Sequence, residues 1–435
     1  MRRVLSLFLA VLLIGTYGCQ GKAPSGDTPK RIVVWHWLTD RQDAFLELAR
    51  IYKEREGVDV VFELYAPSNI YSQKIRGAAY TKTLPDIYGI LSEKKDFAAF
   101  VKAGHVLKLS DYMNANKGEW RRSFFKRAIS VNEFSEDNDF GVDPGIYGVP
   151  IDVMNIQILY NKDLFEKAGL DPDRPPKTWD EFLRAGQKLK AAGIPGLVSG
   201  WGEVWMIDCF ASNYAYNIMG EAKFIDTIRG EVSYTDPDWI KVFTVFKEMR
   251  DNNLLAKGIV TMVNKHAEQM FANERAALAF NGSWCVNVYY GMNPDLNYGV
   301  MLPPAYSSKY PMMIRGGAGT SFMVNGRTKN KEEVVNFLKW FTAKGQQAYL
   351  AEATRNLPAN KDSLTQIPEV LAQFADDIDR TTHPSNLPVS EFPRVIEARD
   401  KGIQSIIIGE KTPEEAALEI QAVKIRELRK AIKAE

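Results

Sequence analysis

The stretch "RIVVWHWLTDRQDAFLELARIYKEREGVDVVFELY" (31–65) decides the fold class. "RIVVWHWL" (31–38) is a β-branched and aromatic run, the signature of a buried strand. In "DAFLELARIYKERE" (43–56), Phe45, Leu46, Leu48, Ala49, Ile51 and Tyr52 recur at helical spacing, and Gly57 ends the run. "VDVVFELY" (58–65) is a second strand. A helix over 68–82 and the strand "PDIYGIL" (85–91) continue the alternation. Strand, helix, strand, helix, strand predicts an α/β domain with a largely parallel sheet.

Beyond this unit the pattern changes. "YGVPIDVMNIQILYNKDLFEKAGL" (147–170) is a long apolar strand running into a short helix that Gly169 closes. After the loop "DPDRPP", "TWDE" (178–181) predicts a capping box, with Thr178 as cap and Glu181 at the third helical position. "NKEE" (330–333) and "TPEE" (412–415) predict two more helix starts of the same kind, the last launching a terminal helix of about twenty residues. Tyr214 and Tyr216 fall in a helix and are expected in the core.

The chain start sets the compartment. Arg2 and Arg3 precede "VLSLFLAVLLIG", an apolar run too short for a membrane span. Gly18 followed by Cys19 resembles a bacterial lipobox, although Thr16 stands where Leu is preferred; ordinary signal cleavage is the alternative. Residues 1–18 are therefore expected to be a lipoprotein signal peptide, Cys19 the lipidated N-terminus, and 19–30 a flexible tether. Removing the signal leaves 417 of 435 residues and takes two basic groups with it, so the formal charge moves from +1 to −1. That length implies two domains, and that charge leaves no footprint for nucleic acid. The two remaining cysteines, Cys209 and Cys285, do not make a disulfide framework, and spacing leaves their pairing open.

Catalytic motifs are scarce. The histidines at 36, 105, 266 and 383 are scattered, with none at metal-ligand spacing, and "GLVSG" (196–200) is not a nucleophile elbow. "GGAGTSFMV" (316–324) leads into a strand-like run rather than a phosphate-cradling helix. No cofactor and no metal is expected.

Several segments together resemble the bacterial extracellular solute-binding proteins of ABC importers, the group that includes maltose/maltodextrin-binding protein. They are "LYNKDLFEKAGL…PPKTWDEF" (159–182), "MFANERAALAFNGSW" (270–284), the "GG" at 316–317 before "SFMVNGRTKNKEEVVNFLKWFTAKGQQAYL", and "NLPAN" (356–360). The resemblance implies a two-lobed periplasmic-binding-protein-like fold of type II, with a ligand cleft between the lobes. It also implies several hinge crossings, near 143–150, 300–305 and 345–350. The first lobe is expected over 31–145 plus 303–346, the second over 146–302 plus 347–435. A monomer that delivers a solute to a membrane permease, held to the membrane through its lipid alone and facing the periplasm or exterior, is what the family implies; covalent chemistry is not.

A sugar offers apolar C–H faces and a rim of hydroxyls. Its site needs aromatic rings and side chains with several donors or acceptors. Candidates lie past strand ends, where open α/β sheets place ligands. Trp37 and Asp40 follow the first strand, with core packing the alternative for the ring. Asp152 and Asn155 are polar positions in an apolar run and need partners, either in a ligand or in hinge hydrogen bonds. Glu93 lies near where the maltose-binding pattern has a cleft acid, unless it is simply solvated. By the same resemblance Glu203 and Trp205 match an acid and a stacking ring, Trp201 adds a second wall, and Trp284 floors the cleft with Asn281 as a hydroxyl partner. Gly316 and Gly317 let the backbone approach a ligand, or serve a turn that needs positive φ. Arg315 and Arg355 are donors near the cleft or near lobe-closing contacts. A carbohydrate, in particular an oligosaccharide, is the expected ligand. A polyamine or a glycerol phosphodiester on the same fold is the alternative, followed by an exported glycoside hydrolase with paired carboxylates.

Overall fold

Along the first strand, Arg31–His36 (β1), every second residue is buried, which turns Ile32, Val34 and His36 into one core. The computed structural model describes residues 30–91, 94–203 and 205–434; the leader, Cys19 and Glu93 lie outside the described residues. The other strands, in chain order, are β2 (Asp59–Leu64), β3 (Ile87–Gly89), β4 (Glu133–Phe134), β5 (Gly145–Ile146), β6 (Val149–Pro150), β7 (Asp152–Asn161), β8 (Leu197–Val198), β9 (Leu278–Gly282), β10 (Tyr298–Met301), β11 (Ile314–Ala318), β12 (Ser321–Val324), β13 (Leu357–Pro358) and β14 (Thr381–Thr382). β4 and β5 form a small ribbon of their own.

The first sheet has the order β2-β1-β3-β12-β6. Its β1, β2 and β3 are parallel, as the opening pattern predicts, with the helices Gln42–Glu56 and Ser68–Thr81 as crossovers. β12 returns from the second half of the chain and runs antiparallel to β3 and β6, so the sheet is mixed rather than largely parallel. Phe45, Phe62, Phe322, Phe337 and Phe341 interlock beneath it, each essentially buried. Truncating one such ring to alanine costs about 3–5 kcal/mol.

The second sheet, β14-β11-β7-β9-β8, is built on β7, which β10 and β13 also flank. All but one of the ten residues of β7 are buried, explaining its unbroken apolar reading. The aromatic core on this side gathers Trp201, Phe210, Phe246 and Trp239 from the loop after β8 and the helices Trp205–Arg229 and Pro237–Asp251.

The chain passes between the sheets at Ile151, at Gly319–Thr320 and, after the helices Lys331–Phe341 and Lys344–Thr354, at Arg355–Asn356. The second and third passages fall later than 300–305 and 345–350. Residues 314–318, expected with the first lobe, stay with the second sheet because Gly316 and Gly317 let β11 lie against Asn155 and Met154 of β7; a Cβ on Gly316 would sit 2.5 Å from the Met154 carbonyl oxygen. The first two passages are laced together. Ile151 N donates to Thr320 O at 2.9 Å, Thr320 N donates to Asp152 Oδ1 at 2.6 Å, and Arg41 pairs with the other carboxylate oxygen.

Two of the three predicted capping boxes form. Thr178 and Glu181 bond reciprocally, as do Thr412 and Glu415 at the start of Pro413–Ala434. Asn330 does not cap its helix; its amide reaches β1 instead, donating to Arg31 O at 3.3 Å. Cys209 and Cys285 are both buried and free.

Candidate ligand-binding cleft

Where β3 ends, the chain leaves its sheet through Ile90 and Leu91; where β8 ends, it turns through 199–203 into the helix that begins at Trp205. Ile90 and Leu91 on one side and Trp205, which begins that helix, on the other line a cleft of about 790 Å³. Its first-lobe wall includes Ile90, Leu91, Val131 and Met323; its floor is the crossing backbone at Ala318 and Gly319; Trp205 and His383 close the other side. This is the position that open α/β architecture gives to ligands.

Trp205 is 43% exposed, a large fraction for an indole, and its ring centroid lies 6.1 Å from that of Trp284 at 43°. Glu203 braces the pair. Its Oε2 accepts from Trp205 Nε1 at 3.4 Å, and its Oε1 accepts from Asn264 N at 2.9 Å, at the start of the helix Asn264–Ala272. Trp284 is half-buried, and its ring lies over Gly282, where a Cβ would stand 1.9 Å from Cζ3. Glycine at 282 is thus what gives the ring its seat. Of the residues singled out in the sequence, the structure brings Glu203, Trp205 and Trp284 together.

The others are engaged elsewhere. Trp201 is not a cleft wall: it is fully buried, wedged edge-on between Phe210 and Phe246, because the loop after β8 turns its ring inward to fill the lobe core. Asp152 is held by Arg41 and Thr320 at the crossings. Asn155 is buried, with Nδ2 donating to Phe374 O at 2.7 Å and Oδ1 accepting from Gln157. Asn281 is 1% exposed and bonded to Glu268, Tyr289 and Gly282 N, so its amide is used internally rather than offered to a ligand. Asp40 is exposed, pairs with Arg41 and accepts from Asn356 near the third crossing. Arg355 lies 3.7 Å above the Tyr290 ring. Trp37 packs on Tyr71 behind the end of β3, over Gly89, where a Cβ would be 2.4 Å from its ring. Gly316 and Gly317 serve close packing of backbone: around Gly317, φ +135°, Val131 and the Arg127 carbonyl crowd in.

Arg315 is engaged in a buried ion cluster that the sequence did not reveal. Asp208, in the first turn of the Trp205 helix, is gripped by Arg315 and by Arg399. Burial pushes its carboxyl up, but the two guanidiniums outweigh that and hold it below the ordinary carboxylate range. Neighbouring Asp400 is 1% exposed with neither oxygen bonded, and burial pushes it up to about 8 against the pull of Arg399. The one legible signal was an aspartate inside "WMIDCF", an apolar helix start where a charge must find partners.

The chain matches the bacterial extracellular solute-binding protein family over residues 47–382. It belongs to that family. A putative binding protein of Brucella abortus is 25% identical over 396 residues, covering 88% of this chain and 89% of the relative. The melibiose/raffinose/stachyose-binding protein of Bacillus subtilis is 23% identical over 380 residues, 82% and 81% of the two chains. Among solved structures, RafE of Streptococcus pneumoniae superposes with a TM-score of 0.74 at 16% identity, covering 91% of this chain and 98% of that one. Members of this extracellular family act as binding proteins outside the cytoplasm, so this chain is an exported one. No helix among the described residues is long and apolar enough to cross a membrane.

For this solute-binding protein the electrostatics of the cleft are subdued. Lys94 lies under the first-lobe wall, donating to Val131 O at 3.0 Å and Glu133 O at 2.7 Å over the Phe134 ring. Burial lowers it to about 7, with Glu133 opposing. His383, lowered to about 3 by burial and by the nearby cations Arg315 and Lys94, is a neutral imidazole at physiological pH. Its Nδ1 accepts from Ser385 N at 3.1 Å, which leaves the proton on Nε2 as a donor. Sequence spacing gave no hint of this histidine.

Proposed function

We propose that this protein captures a neutral oligosaccharide between its lobes and delivers it to the membrane permease of an ABC importer. One observation carries the proposal: the exposed Trp205 ring, packed on Trp284 and bonded to Glu203, faces a largely apolar wall across the cleft. Indole faces stack on the C–H face of a pyranose, and backbone and neutral side chains bond its hydroxyls. The Bacillus relative, named for melibiose, raffinose and stachyose, and a RafE structure holding raffinose support this ligand class. The charged alternatives find less support. A phosphodiester wants converging cations, yet Arg315 is tied to Asp208 and Arg355 to Tyr290; a polyamine wants carboxylates, yet Asp152 is neutralised by Arg41 and Glu203 is spent on Asn264.

In this reading the first lobe comprises 31–150 plus 321–354, the second 152–318 plus 357–434, and solute capture closes them by a hinge motion. The N-terminal signal is removed and Cys19 carries the lipid anchor. Replacing Cys19 with serine then releases the protein from the membrane fraction, seen by fractionation and immunoblot; an unchanged distribution refutes the anchor.

The test is a thermal-shift screen of residues 20–435 against mono- and oligosaccharides, glycerol phosphates, polyamines and amino acids. A ligand at 100 times its dissociation constant stabilises the native state by roughly 2.7 kcal/mol. That raises the melting point by a few degrees. A shift with one sugar series is expected. Shifts confined to phosphates or polyamines overturn the assignment.

A further inference from the structure

A second space opens on the other side of His383. It holds about 180 Å³ and lies between Arg127 of the first lobe and Tyr216, Gly220, Glu221 and Tyr310 of the second. His383 lines both this space and the main cleft. We infer that it is a distal carbohydrate subsite, so that one extended oligosaccharide runs from the Trp205–Trp284 rings past His383 to Tyr310. The inference rests on the carbohydrate reading above and assigns residues that reading does not use.

The geometry of Tyr310 carries it. Tyr310 is 37% exposed, with Lys309 Nζ 5.1 Å from its ring centroid, on a loop that ordinary surface physics would leave mobile. Here the loop is fixed by a buried amide. Asn217, fully buried in the Trp205 helix, donates to Ser307 O at 2.9 Å and Tyr310 O at 2.6 Å, and accepts from Tyr306 N at 2.9 Å and Ser307 N at 2.8 Å. Four hydrogen bonds to one side chain fix the loop backbone that carries this partly exposed ring. The seat for that ring is made by breaking the helix: Gly220, at φ +77° and ψ 168°, interrupts Trp205–Arg229, and a Cβ there would come within 2.8 Å of Tyr310. A rigid, presented aromatic ring loses little entropy when a ligand lands on it.

The polar groups around the ring suit hydroxyls. Asn386 lines the space with a buried Nδ2 that has no partner, while its Oδ1 accepts from Ser130 at 3.2 Å. His383 Nε2–H is a donor at the divide, Arg127 supplies a planar donor from the opposite lobe, and Glu221 supplies acceptors. From Trp205 to Gly220 the helix advances roughly 20 Å at about 1.5 Å per residue, a span of several pyranose rings.

The experiment is calorimetric titration of the full mature protein with short and long members of one series: maltose and maltohexaose, xylobiose and xylohexaose, chitobiose and chitohexaose, melibiose and stachyose. Wild type is expected to bind the long member of its series up to about tenfold more tightly, the worth of one stacked ring. Tyr310→Ala should remove that margin and leave the short member's affinity unchanged. Arg127→Ala, on the other lobe and away from the Gly220 break, should reduce the margin by itself, which covers the case of a poorly folded Tyr310 variant. No length dependence in wild type, a margin that survives both substitutions, or an equal loss for short and long members overturns the subsite while the carbohydrate assignment stands. Failure of every sugar to bind overturns both.

Discussion

The two walls of the cleft are made of different material. The first-lobe wall is mostly apolar, with Ile90, Leu91, Phe97, Val131 and Met323 beside Asn132 and Ser321, and its apolar groups exclude water without fixing the orientation of what they cover. The second presents the Trp205 indole, with Trp284 packed against it and Glu203 accepting from its ring nitrogen. The supports differ as well. Behind the first wall stands an aromatic cluster of Tyr71, Tyr88, Phe97 and Phe134 with the buried Lys94 bonded to backbone carbonyls; behind the second, the turn that carries Trp205 is anchored by Asp208 between two arginines. The contrast suggests a division of work: the second lobe captures and orients the solute, and the first closes over it as a cover.

The largest effect is expected under the second wall. Asp208→Asn leaves Arg315 and Arg399 buried without their counter-charge, and breaking a buried pair this way costs about 3–5 kcal/mol of stability. Chemical denaturation measures it. A cost below about 1 kcal/mol would mean that the turn is held by packing alone and that the two walls are supported alike.

The same cluster sets a pH dependence. Asp400 is raised to about 8 in the folded protein, against about 4 when unfolded. Between those values the native state keeps a proton that the unfolded chain releases, so its contribution to stability falls as pH climbs from about 4 to about 8. Asp208 behaves oppositely, since its lowered value adds stability that disappears only as pH drops through the acid range. The difference between wild type and Asp400→Asn isolates the first term. The variant should gain relative stability as pH rises through this window, by an amount of order 1 kcal/mol or more; a parallel pair of pH curves would refute the raised value.

How much of this was legible beforehand follows from the range of the forces involved. The βαβ unit at 31–65 and the capping boxes at Thr178 and Thr412 depend on neighbours in sequence, and they form as read. Trp201 and Trp205 show the limit. Four residues apart with similar surroundings, they part company because one falls in the turn after β8, whose ring fills the core, and the other begins a helix at the cleft edge. The resemblance to the solute-binding family singled out Glu203, Trp205 and Trp284, which the structure brings together. It could not tell that Asn155, Asn281 and Arg315 would be consumed by partners distant in sequence, at Phe374, Glu268 and Asp208. Asn217 and His383 owe their roles entirely to such long-range placement.

On the second wall itself, Trp205→Ala and Trp284→Ala are each expected to cost about 2 kcal/mol or more of binding, at least about thirtyfold in the dissociation constant of the sugar identified by the screen. Both rings are partly exposed, so both variants should still melt cooperatively within a few degrees of wild type. Full affinity in either variant removes that ring from the site. Lost affinity together with collapse of the melting transition would instead show that the ring supports the lobe.

The smallest effect belongs to the first wall, and it decides the comparison. Leu91 follows β3, is half-buried and lines the cleft without a directional contact. Leu91→Ala removes apolar surface that covers the solute only in the closed state, and the expected loss is below about 1 kcal/mol, no more than about fivefold in affinity. On that division of work, with capture on the second lobe ahead of closure by the first, the loss should appear in the dissociation rate while the association rate stays near wild type. Stopped-flow tryptophan fluorescence can separate the two, since Trp205 and Trp284 sit where the solute lands. If Leu91→Ala instead matched the tryptophan variants, or slowed association, the first wall would take part in recognition from the first encounter and the division between a capturing lobe and a covering lobe would fall.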